Sequence, residues 1–108
     1  MKYQKQIAIV KKLIENTEIG KLTWAEAPTP KIFQVSLPQY TVQIAREPQD
    51  TIVIIRDSAG ETIEKYTSRE LAREWPIANS VMDELYVTVR RKALGVDKAL
   101  DNILNELL

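Results

Sequence analysis

Residues 32–66 read IFQVSLPQYTVQIAREPQDTIVIIRDSAGETIEKY, and the fold is decided there. Apolar and polar side chains alternate with a period of two, as they do in strands with one buried face. Phe33, Val35 and Leu37 alternate with Gln34 and Ser36, and Tyr40, Val42 and Ile44 alternate with Thr41, Gln43 and Ala45. Pro38-Gln39 makes the turn between them. Residues 47–50 lead to a third strand at 51–56, and residues 57–60, closed by Gly60, lead to a weaker fourth at 61–66. Connections this short cannot make the long crossovers that parallel neighbours need, so the expected sheet is an antiparallel meander of three to four strands. The third strand is apolar on both sides, with Ile52 and Ile54 on one and Val53 and Ile55 on the other. A strand of that kind is central and covered on both faces. Helices are expected on one face, and Leu22 and Trp24, a further helix, or another chain on the other.

Outside the sheet the period becomes that of a helix. Tyr3, Ile7, Val10 and Ile14 recur at spacings of four and three, Ile9 and Leu13 widen the stripe, and residues 2–17 are expected to be helical. Gly20 follows as a C-cap, and Pro28 and Pro30 make residues 25–31 an extended connector. Thr67 and Glu70 have the spacing of a capping box, which starts a short helix ending before Trp75-Pro76. A longer helix is expected at 79–94, ended by Gly95. Asp97 then caps a last helix at 98–108, in which Val96, Leu100, Ile103, Leu104 and Leu107 form a dense apolar stripe expected to be buried. The fold class is therefore α+β, in a single domain of residues 1–108: one N-terminal helix, the meander, and two to three C-terminal helices.

Composition removes whole classes of chemistry. The 108 residues, 44% hydrophobic and 28% charged, can bury a core and do not have the composition of a disordered chain. The chain contains no cysteine and no histidine. A disulfide, a Ser-His-Asp triad, a Cys-His pair and an ordinary zinc site therefore cannot be built from it. An all-oxygen cation site and carboxylate or lysine chemistry stay open. The formal net charge is zero, whereas a protein that relies on phosphate contacts carries a basic excess. The N-terminal apolar run, Ile7 to Val10, is too short for a leader core or a membrane span, so a cytoplasmic location is expected.

Few residues suggest a site. Asp50, Asp57 and Glu61 flank strand ends and would need to meet at one rim to hold a cation or run acid–base chemistry; alone, they are ordinary turn residues. Arg90, Arg91 and Lys92 form a basic helix end that Arg69 and Arg73 could join as a phosphate-binding patch, although cations at a helix C-terminus already complement its dipole. Trp24 and Trp75 suit either a core or an interface. No phosphate loop or dinucleotide fingerprint occurs among three widely spaced glycines. The apolar surplus is more informative: Trp24, Val53, Ile55, Leu100, Leu104 and Leu107 are, with the basic trio, the candidate interaction residues.

The chain resembles a group of short uncharacterised bacterial α+β proteins. The resemblance rests on GKLTW at Gly20 to Trp24, the YTVQIAR hairpin, the RDSAGE turn, and RRKALGVD at Arg90 to Asp97, and it covers most of the chain. It implies a bacterial source and carries no catalytic residue, since these motifs are caps, turns and core positions. The expectation is a non-enzymatic protein-binding or regulatory module that pairs with a protein partner or itself, without cofactor, metal, membrane or small-molecule ligand. The alternatives are a nucleic-acid-associated regulator using the basic helix end and a carboxylate- or metal-dependent enzyme.

Overall fold

In the computed structural model, which describes residues 2–108, the chain runs from a helix into a sheet and back into helices. The elements are α1 (Gln4–Glu18), β1 (Ala25–Glu26), β2 (Phe33–Ser36), β3 (Tyr40–Glu47), β4 (Asp50–Asp57), β5 (Thr62–Thr67), α2 (Ser68–Leu71), α3 (Ala78–Leu94) and α4 (Val96–Glu106). The strands pair antiparallel in sequence order, so the α+β class and the meander are as expected, with five strands rather than three to four. The additional strand, β1, lies in the proline-containing connector. Two residues, Ala25 and Glu26, are too few to show a period, and they become a strand by pairing with Gln34 and Phe33.

Register decides which side chains are buried. Phe33, Ile44, Val53 and Tyr66 stand opposite one another across β2 to β5 and form a buried row. Ile7, Val10 and Leu13 of α1 and Met82, Leu85 and Val89 of α3 complete the core on that face. Trp24 and Leu22 belong to this same core and do not close the opposite face. On that opposite face Ile52 is buried and Ile54 half-buried beside a polar ladder. Gln43 Nε2 donates to Gln34 Oε1 at 2.9 Å, and Arg56 Nε donates to Gln43 Oε1 at 2.9 Å. Side-chain hydrogen bonds thus satisfy polar groups, among them buried Gln43, that an apolar cover would have stranded.

The helix ends follow local chemistry where it is strong. At Gly20 the backbone is left-handed, φ +76°, and the amides of Gly20 and Lys21 donate to the carbonyls of Thr17 and Asn16 at 3.2 and 2.9 Å. This Schellman arrangement suits a residue without a Cβ. Thr67 and Glu70 form the expected capping box, with bonds of 3.1 and 3.2 Å. The start of α1 has no local cap. Instead the Glu74 carboxylate accepts from the amides of Lys2 at 2.9 Å and Tyr3 at 3.1 Å, tying the N-terminus to the α2–α3 link. Trp24 donates its indole N–H to Thr17 Oγ1 at 3.0 Å, so two buried polar groups satisfy each other. Tyr86 pins α3 to the sheet: its hydroxyl donates to the Lys31 carbonyl at 2.8 Å, and its ring meets Phe33 edge-on.

Two outcomes are expected. Glu74→Ala leaves the amides of Lys2 and Tyr3, which lead into α1, without their acceptor and should cost about 1 kcal/mol in chemical denaturation, comparable to loss of an N-cap. Burial, reinforced by the charge of Glu64, pushes the Tyr66 hydroxyl well above the usual tyrosine range. The folded protein therefore keeps this proton after the unfolded chain has lost it. Stability is retained below about pH 10, the ordinary tyrosine value, and falls as pH rises beyond it. Tyr66→Phe should flatten that alkaline decline, read as the denaturation midpoint against pH.

Candidate protein-binding surface

The last helix departs most from its expected setting. Gly95 takes φ +63° and ψ 42°, a left-handed turn that ends α3 and starts α4 in a new direction. Arg91 donates to Asp97 at 2.7 Å across this corner. Beyond it α4 meets α3 near the corner and buries none of its residues. Leu100, Ile103, Leu104 and Leu107 are 49%, 48%, 63% and 77% exposed. The expected burial of this stripe is therefore corrected: α4 diverges from the sheet's helix-side face at Gly95, and α1 and α3 cover the central row without it. At 100° per residue the four side chains share one face, with Asp97 and Asp101 on one flank and Glu106 on the other. Lys98, the cation of α4, lies behind.

A second apolar feature lies at the far end of α1. Ile9 and Leu13 of α1, Leu22 after it, Val42 and Ile55 of the sheet, and Ile63 of β5 line an open groove of about 530 Å³. Among its lining residues Lys12 alone is charged, and no residue of α4 contributes. The groove runs alongside α1, between its Ala8–Asn16 side and the sheet at Val42, Ile55 and Ile63. Ile63 reaches it through a register shift: Ile55 pairs with Glu64 and Arg56 with Thr62, which leaves Ile63 unpaired and 53% exposed. The signals in the sequence were the widened stripe of the first helix, Ile9 and Leu13, and an isoleucine inside a weak strand. A bulge has no periodic mark by which Ile63 could have been assigned.

The candidate residues separate by burial. Trp24 and Val53 lie in the core at 5% and 0% exposure. Ile55 is half-buried on the groove wall, and Leu100, Leu104 and Leu107 are exposed on α4. Trp75 is half-buried, with the Lys11 ammonium 5.3 Å from its ring centre. Arg90, Arg91 and Lys92 are exposed at the end of α3, but Arg91 is engaged by Asp97. Arg69 does not join them; it lies 3.5 Å from Asp50 and donates to Gln49 at 2.9 Å.

The three turn carboxylates do not converge. Asp50 and Asp57 stand at opposite ends of β4, about 23 Å apart at 3.3 Å per residue. Asp57 holds its own turn by accepting from the amides of Ala59 and Glu61, each at 3.0 Å. Among the described residues no three carboxylates gather as a metal ion would require. No described helix is long and apolar enough to cross a membrane. No protein-family model, curated protein or solved structure matches the chain.

A basic cluster of three with one member neutralised should not hold nucleic acid at physiological ionic strength. In a gel-shift assay with duplex DNA at about 0.15 M salt the protein is expected to run free. A salt-sensitive complex abolished by Arg90→Ala/Arg91→Ala/Lys92→Ala would show the opposite.

Proposed function

We propose that the chain is a small bacterial, cytoplasmic protein-binding or regulatory module without enzymatic activity, and that α4 is its docking element. One observation carries this reading: α4 exposes a continuous stripe of four large apolar side chains and buries nothing. An isolated helix of 11 residues is marginal in water, because helices below about 12–15 residues gain too little to offset nucleation. A partner surface would supply the missing stabilisation. Leu100, Ile103, Leu104 and Leu107 have the i, i+3, i+4, i+7 spacing with which amphipathic helices enter apolar grooves. The acidic flanks keep the helix soluble while unpartnered and restrict the surfaces it can meet.

The test uses Leu104→Asp/Leu107→Asp. Both side chains are exposed, so circular dichroism and the thermal midpoint should stay close to those of the parent. In affinity capture from the source cell's lysate with nuclease present, the parent is expected to retain protein, whether itself or another chain, and the variant to lose it. Equal capture by both would remove α4 from the role.

A further inference from the structure

The accessible surface is larger than a chain of this mass needs. It measures 7309 Å², whereas a compact monomer of 12.4 kDa exposes about 6,100 Å². The radius of gyration is 15.0 Å, against about 13 Å for a compact chain of 108 residues. The principal extents, 55 × 33 × 27 Å, describe a body drawn out along one axis. The surplus of about 1,200 Å² exceeds the roughly 800 Å² that each partner contributes to a standard protein interface. One association of ordinary size would cover about two-thirds of that surplus.

The same chain carries both halves of a matched pair. The stripe on α4 extends from Leu100 to Leu107, and the α1 wall of the groove extends from Ala8 to Asn16. They cover seven and eight residue steps, about 10 and 12 Å at 1.5 Å per residue, so the stripe fits within the wall. The groove presents almost no polar surface apart from Lys12, and α4 has acidic residues on both flanks of its stripe. A helix lying beside α1 would set Leu100, Ile103, Leu104 and Leu107 on Ile9, Leu13, Ile55 and Ile63, with a carboxylate directed to Lys12. Lys12 is 72% exposed and its present partner, Glu15, is 3.4 Å away, so that pair is weak and can yield.

We propose that the groove is the seat for α4 of a second copy of this chain, and that two copies exchange α4 reciprocally to form a closed dimer. This rests on α4 being the docking element. Reciprocal exchange fills both grooves and covers both stripes, so no apolar end remains to recruit a third copy. The left-handed turn at Gly95, which directs α4 away from its own core, then serves to present the helix to the other subunit.

The experiment uses the absence of native cysteine. Leu104→Cys and Ile63→Cys are made in separate full-length chains, mixed and mildly oxidised, while light scattering follows the parent and the variants Leu104→Asp and Ile63→Asp. The parent should have twice the monomer mass. Each aspartate should weaken the dimer by about 30-fold or more, the effect of losing an interface hot spot. The disulfide should form between the unlike chains. Ile63 and Leu104 are both exposed, at 53% and 63%, so neither aspartate disturbs the core. Circular dichroism and thermal unfolding of each variant confirm that it is folded.

Two results would overturn the exchange while leaving α4 as the docking element. One is a Leu104→Cys chain that cross-links chiefly to itself, which means that α4 packs on α4. The other is a dimer that is lost with Leu104→Asp but untouched by Ile63→Asp. A chain carrying both cysteines that closes within a monomer would overturn it as well, since α4 would then fill its own groove. A parent that is monomeric throughout, and whose protein capture is indifferent to Leu104→Asp, would end both the exchange and the reading on which it rests.

Discussion

Ile44 of β3 and Val53 of β4 face each other at the centre of the sheet, fully buried, and much of the molecule is arranged around that pair. Phe33 and Tyr66 extend the row to either side, and α1 and α3 lie across it. A slip of β4 by one residue against β3 would turn Val53 and Ile55 to the far face and bring Ile54 and Arg56 beneath the helices. The register therefore sets more than strand pairing. It assigns the apolar row to the helices and the Gln34–Gln43–Arg56 ladder to the opposite side, where side-chain hydrogen bonds satisfy it.

The open apolar surfaces follow from the same arrangement. Two helices suffice to cover the central row, and the connection from α1 turns away at Gly20. The end of the sheet, where Val42 and Ile55 pair, is left with only a partial lid and becomes the groove. By the time the chain reaches α4, the central row is covered, and the left-handed turn at Gly95 directs α4 away from the groove that remains. Its apolar stripe remains outside because of the direction the chain takes at Gly95, although its pattern is that of a helix with one buried face.

Long-range polar contacts reinforce this layout without defining it. Glu74 closes the start of α1 from the α2–α3 link, Tyr86 ties α3 to the Lys31 carbonyl, and Trp24 satisfies Thr17. Each joins elements that the apolar row has already brought together. The buried Trp24–Thr17 bond also removes an unpaired donor and acceptor whose burial would cost about 1–3 kcal/mol.

The alternation across residues 32–66 was sufficient for an antiparallel meander, because side chains on a strand must alternate and short turns permit no other pairing. The capping box at Thr67 and the glycine stop at Gly20 were equally legible, since both depend on contacts within a few residues. So were the classes of chemistry excluded by the lack of cysteine and histidine. Strand β1 was not legible, because two residues have no period and pair only when Phe33 and Gln34 are already in place. Nor was the bulge that frees Ile63. The fate of Leu100, Leu104 and Leu107 shows the division most clearly. Their spacing determines that α4 has an apolar face, a property of the helix alone. Whether that face is buried depends on how much of the sheet α1 and α3 have already covered, and only the tertiary structure decides that.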